Sequence, residues 1–171
     1  MDPASHAPHA DAARRAGAAA TAPDPGRIGS GGLVDPNPDR DRIALGIRQP
    51  WCELILRGRK TLEIRSRSTE VRGPIYIYAS KTVSDLPELD EVLTREDLDL
   101  NVLPRGRILG SVEIVGCRRA TPTDDEASCV PRRELIDRYA WELANPVRFA
   151  EPLKPRFLPY GVWFYPFKRR S

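Results

Sequence analysis

The densest chemistry in this chain is one run, Gly58-Arg59-Lys60-Thr61-Leu62-Glu63-Ile64-Arg65. Strand periodicity puts Glu63 and Arg65 on one face, roughly 7 Å apart, and Leu62 and Ile64 on the other. Lys60 sits in the turn that enters the strand and leans over the charged face. A carboxylate between two cations stays ionised and orients both partners. Such a trio suits the floor of a ligand pocket, with Lys60 and Glu63 as the catalytic pair if the protein is an enzyme. The competing reading is a surface ion-pair cluster worth little. For a partly exposed pair, Glu63→Gln is expected to cost about 1 kcal/mol.

Two other runs could complete a pocket. Gln49-Pro50-Trp51 opens a short helix; its Trp51 is a core plug or a stacking wall, with the Gln49 amide reading polar edges. Tyr78 offers a second stacking ring, and Ser80-Lys81 adds a hydroxyl and an ammonium at the end of the same strand. Arg48, Arg57, Arg59, Arg67 and Arg72 are the basic groups available to a phosphate backbone.

The chain has 171 residues, with 27 Lys+Arg against 24 Asp+Glu, three Cys and two His. Both histidines, His6 and His9, fall in an Ala/Pro/Asp-rich stretch, residues 1–41, that reads as a disordered tail. The folded part, 42–171, then has no histidine, which removes histidine bases, Ser-His-Asp triads and histidine-held metals. Cys52, Cys117 and Cys129 are widely spaced, which fits reduced thiols and a cytoplasmic protein. No metal site, cofactor, membrane span or secretory signal is expected. From Arg42 onward 23 basic residues face 18 acidic ones, and seven of the acids lie between Asp85 and Asp99. The remainder is strongly basic, which permits a polyanionic partner.

The elements that must position these groups follow in quick alternation. Short strands are expected at 43–47, 61–65, 75–79, 107–117, 139–143 and 161–167. A helix follows Pro50 and stops at Gly58, and an acidic amphipathic helix covers 86–98. Short strands with bend-forming glycines suggest a small closed or nearly closed β-barrel of the α+β class, flanked by helices.

Ile47-Arg48-Gln49-Pro50-Trp51, then 58–65, then Gly73-Pro74-Ile75-Tyr76-Ile77-Tyr78-Ala79-Ser80-Lys81 together resemble the ASCH domain. Tyr139-Ala140-Trp141-Glu142-Leu143 and Gly161-Val162-Trp163 are similar to its closing strands, so the likeness covers about 42–167. The resemblance implies a PUA-like β-barrel with a cleft beside the first helix, lined by Lys60, Glu63 and Arg65. It also implies binding of RNA, single-stranded nucleic acid or a nucleotide, by a monomer. Some small members of the family are amidohydrolases of N4-acetylcytidine, in which a lysine works with a threonine three positions on. This chain has Glu63 at that position, which favours the binding module. A hydrolase of RNA or an acylated nucleoside ranks second, and a protein-interaction scaffold third.

Overall fold

The computed structural model describes residues 38–168. The expected tail lies outside the described residues except for its last four. There Arg40 Nε donates to the Phe167 carbonyl at 3.4 Å, and Asp41 pairs with Lys168 at 2.6 Å.

The elements are β1 (Ala44–Gln49), α1 (Trp51–Leu56), β2 (Leu62–Arg65), β3 (Gly73–Val83), α2 (Leu89–Arg95), β4 (Arg107–Arg119), α3 (Asp125–Ser128), β5 (Tyr139–Leu153) and β6 (Trp163–Phe164). Single turns of 3₁₀ helix at Pro122–Asp124 and Arg132–Leu135 flank α3. The six strands form one mixed sheet in the order β2-β5-β4-β3-β1-β6, in which only β1 and β3 run parallel. No helix among the described residues is long and apolar enough to cross a membrane.

Of the closed or nearly closed barrel expected, full closure is corrected: the sheet curls but does not close. Its curl shows in Trp141 of β5 stacking on Trp163 of β6, with centroids 5.4 Å apart, although three strands separate β5 from β6 in the sheet. Closure fails because β2 is four residues long and pairs with β5 alone, leaving its outer edge without a strand. What spans the seam is a side chain, Arg65, whose Nη2 donates to the Gly46 carbonyl of β1 at 3.0 Å.

Apolar side chains of β1, β3, β4 and β5 fill the concave side, joined by α1, every residue of which is buried. Helix α1 packs on β4 where Gly110 lacks a side chain; a Cβ there would overlap the Val147 carbonyl and crowd Leu56 Cδ2 at 2.7 Å. Gln49 Oε1 accepts the Glu53 N–H and so caps the start of α1. Gly58 ends it at φ +71°, a left-handed turn that suits glycine. The reversed chain then donates Lys60 N–H back to the Leu54 carbonyl at 3.0 Å, which fixes Lys60 beneath the helix.

Several expected elements differ in extent; the strand expected at 75–79 spans Gly73–Val83. The late strand at 139–143 runs on to Leu153, past Pro146 and Pro152, because register shifts against β4 absorb the breaks in its ladder. The strand expected over 161–167 is only Trp163–Phe164, and the acidic helix is trimmed to Leu89–Arg95.

Candidate functional site

Strand β2 alternates as its sequence suggests, but the charged face points inward. Glu63 is 7% exposed and sits opposite Trp141 in the β2–β5 ladder. The Arg65 guanidinium lies 5.7 Å from the Trp141 ring centroid. Lys60 is 2% exposed, and its ammonium donates to the Leu62 and Ser128 carbonyls, both at 2.7 Å. The Lys60 Nζ also lies 3.4 Å from Glu63 Oε2, while Arg65 Nε is 2.9 Å from Glu63 Oε1. One carboxylate thus bridges two cations, one through each oxygen. Burial pulls the Lys60 pKa below its ordinary 10.5, and the Glu63 charge opposes that pull. Two carbonyls and one carboxylate oxygen thus surround the Nζ, which suits the charged form.

The open seam of the sheet is a cleft of about 410 Å³. Trp51, Glu63, Arg65, Ser80 and Arg48 line it from β1, α1, β2 and β3, and Pro159, Gly161 and Val162 close it from the C-terminal segment. A smaller cavity of about 170 Å³ adjoins it, with Lys60, Glu134 and Arg138 on its wall. Trp51, Glu63 and Ile64 line both, so they form the partition between them. Trp51 belongs to the main core cluster and is 8% exposed, so the cleft sees only part of its ring. Among the described residues no group of His, Cys, Asp and Glu is placed to hold a metal ion.

The ASCH domain family model matches residues 45–153, nearly two thirds of the sequence. The chain belongs to the ASCH domain family. Activating signal cointegrator 1 from Homo sapiens and that from Mus musculus are each 35% identical to it over 80 residues, 43% of this chain. The chain spans 14% of the length of those relatives. The crystal structure of ASCH from Zymomonas mobilis superposes with a TM-score of 0.51 at 14% identity, covering 74% of this chain and 88% of that one. A mutant of that protein gives 0.50 at 15% identity, covering 75% and 90%. At these identities the likeness speaks for the fold.

This ASCH domain does not gather every residue that its sequence singles out. Gln49 is fully buried, with its Nε2 donating to the Pro104 carbonyl at 3.0 Å and its Oε1 capping α1, so its amide is spent on the fold. Tyr78 is 2% exposed and packs edge-on against Phe164 in a second apolar cluster, away from the cleft. Lys81 is exposed beside Gly106. Of the five arginines expected on a backbone path, only Arg48 lines the cleft, where it pairs with Asp85 at 2.6 Å. Arg57 is held by Glu53, Arg59 by Glu96, and Arg72 by the Thr69 and Val71 carbonyls, while exposed Arg67 accepts the Trp141 indole N–H on its carbonyl.

Sequence reasoning missed the far wall as part of the site: Gly161 and Val162 are expected only as the start of a closing strand, and Pro159 falls in the Pro-rich stretch before it. It also missed Glu134 and Arg138 of the smaller cavity. The thiols offer no ready nucleophile at the site: burial pushes Cys52 and Cys129 above the ordinary range.

Proposed function

We propose that this ASCH domain is a nucleic-acid-binding module that takes one base into the β1–β2 cleft. The observation that carries this reading is the Glu63 carboxylate, held by Lys60 and Arg65 yet lining a cleft large enough for a ligand. Each carboxylate oxygen has a lone pair beyond the one that meets its cation, so Glu63 still accepts hydrogen bonds. An acceptor-only group reads a base through its exocyclic amino group, as acidic side chains read cytosine N4. Ser80 adds a hydroxyl, and Arg48 at the rim offers a cation to a phosphate. Membership of a family with a general RNA-binding character supports the same reading.

A thermal-shift panel of nucleoside monophosphates tests it, because a ligand of the native state raises the melting temperature. Cytidine monophosphate should raise it more than uridine monophosphate, and Glu63→Gln should abolish the preference. A flat response to every nucleotide would sink the reading.

The hydrolase reading has one observation in its favour, the buried Lys60 with its lowered pKa. Against it, the Lys60 ammonium is engaged by three oxygens and faces the smaller cavity, with Glu63 between it and the main cleft. A group so placed holds Glu63 better than it abstracts a proton.

A further inference from the structure

The cleft lacks an open aromatic face, since Trp51 and Tyr78 are both buried. The exposed apolar surface is elsewhere. Of the eight exposed large hydrophobic side chains among the described residues, four fall within one segment: Phe157, Leu158, Tyr160 and Val162. Such clustering marks a binding surface, whereas single exposed apolar residues do not. The same segment walls a second groove of about 380 Å³, in which Phe157, Tyr160, Trp163, Phe164 and Tyr165 stand with Lys168.

The groove and the cleft share this segment. Pro159, Gly161 and Val162 line the cleft, while Leu158, Tyr160 and Trp163 line the groove, so this irregular stretch turns side chains to both sites. The Val162 carbonyl accepts the Gly46 N–H at 2.9 Å, which pins the segment to β1 between the two sites. Trp163 in turn stacks on Trp141, the ring beneath Arg65. The described C-terminal segment carries charge of one sign: from Leu153 to Lys168 there are Lys154, Arg156 and Lys168, and no acidic residue. Among the described residues Asp41 pairs with Lys168. Aromatic faces beside a cationic stretch are what a single strand of nucleic acid requires, because every base has a π-face and every linkage a charge.

We infer that this ASCH domain binds single-stranded nucleic acid across two adjoining sites, one base in the cleft and a neighbouring base stacked in the aromatic groove of the C-terminal segment. The inference rests on the cleft being a base site, and it adds a second base site in the aromatic groove.

The test compares cytidine monophosphate with single-stranded tetracytidylate by calorimetry at fixed salt. The tetranucleotide should bind roughly ten-fold tighter or more. Tyr160→Ala combined with Phe157→Ala should remove most of that gain and leave mononucleotide affinity within two-fold of the parent. Tyr160 is fully exposed, so its single replacement spares the fold; Tyr160→Phe, which keeps the ring, should retain the gain. Mononucleotide binding with no gain for the tetranucleotide overturns the second site and leaves the cleft reading standing. A gain that survives both aromatic replacements overturns it too, because phosphate charge alone would then explain the difference. If neither ligand binds, both readings fail together.

Discussion

Two clusters of arginine and carboxylate sit one residue apart on β5, on opposite faces of the sheet. Glu63 lies opposite Trp141 in the ladder, and its neighbour Leu62 lies opposite Glu142. Glu142 belongs to the second cluster, in which Arg118 of β4 donates to Asp124 through Nη1 and Nη2, at 2.7 and 2.8 Å, and to Glu142 through Nε at 3.0 Å. Asp124 Oδ2 also accepts the Thr121 N–H at 2.7 Å and the Thr121 hydroxyl at 3.0 Å. Four hydrogen bonds, three of them on Oδ2, thus lock the Pro122–Asp124 turn to β4. The Glu63 site has one cation on each oxygen and lines a cleft. A carboxylate that takes four hydrogen bonds from its own chain is committed to the fold; one that meets a single cation on each oxygen and lines a cleft can take a ligand.

The largest effect expected of this difference comes from Lys60→Met. It would strand the buried Glu63 charge and leave the Leu62 and Ser128 carbonyls without their donor. Removing one partner of a buried pair costs about 3–5 kcal/mol, measurable as a fall in the urea midpoint at unchanged slope. A loss under about 1 kcal/mol would mean that Lys60 is solvated and the cluster open.

Glu63→Gln should cost less, about 1–3 kcal/mol, because the amide still accepts one hydrogen bond from a cation. That exceeds the 1 kcal/mol expected from sequence, since Glu63 proves to be 7% exposed. It should also weaken binding of a base-bearing ligand about ten-fold or more, whereas Arg57→Ala, at the far end of α1, should leave binding unchanged. Equal losses from both variants would place the ligand somewhere other than the cleft.

Acid should separate the clusters next. The Arg118 hydrogen bonds hold the Asp124 carboxyl down at about 2, against an ordinary 3.8, despite the opposing pull of burial. Because the folded value is the lower one, the stability that Asp124 contributes is present above about pH 4 and is lost as the pH falls towards 2. Arg118 is largely solvated, so that contribution is on the order of 1 kcal/mol. Asp124→Asn should flatten the acid limb of the stability profile between pH 4 and 2. An unchanged limb would assign acid sensitivity to other carboxylates.

The sequence made the polar run at 58–65 legible because helix stop, turn and strand succeed one another there without ambiguity. Alternation separated Glu63 and Arg65 from Leu62 and Ile64, but a period of two does not say which face meets the core. The same blindness sent Tyr78 to the wrong side: its strand is buried on both faces, and its ring serves the second apolar cluster. Gln49 looked available because nothing local reveals that Pro104, 55 residues away, supplies its acceptor. Closure was overread for a related reason. The number and length of strands suggest a barrel, yet whether the last edge pairs depends on four residues of β2 and on Arg65 reaching Gly46 in their stead. The far wall reads as the start of a strand over 161–167, whereas Pro159 to Val162 is irregular chain and the strand begins only at Trp163.

The smallest effect tests whether every member of the Arg118 cluster matters equally. A Cβ at Gly116 would overlap Glu142 Oε2 and approach Glu142 Cδ to 2.9 Å. The obstacle is the end of a flexible side chain, 39% exposed, so Glu142 can turn away without moving the strand. Arg118 would then lose its Nε partner and keep both hydrogen bonds to Asp124. Gly116→Ala should therefore change stability by less than about 1 kcal/mol, the scale of an exposed pair. Ligand binding in the cleft, on the opposite face of β5, should not change. A loss of several kilocalories would show Glu142 to be as integral as Asp124. A change in ligand affinity would show that the two faces are coupled through β5, and the division between a cluster that fixes the chain and one that receives a ligand would then fail.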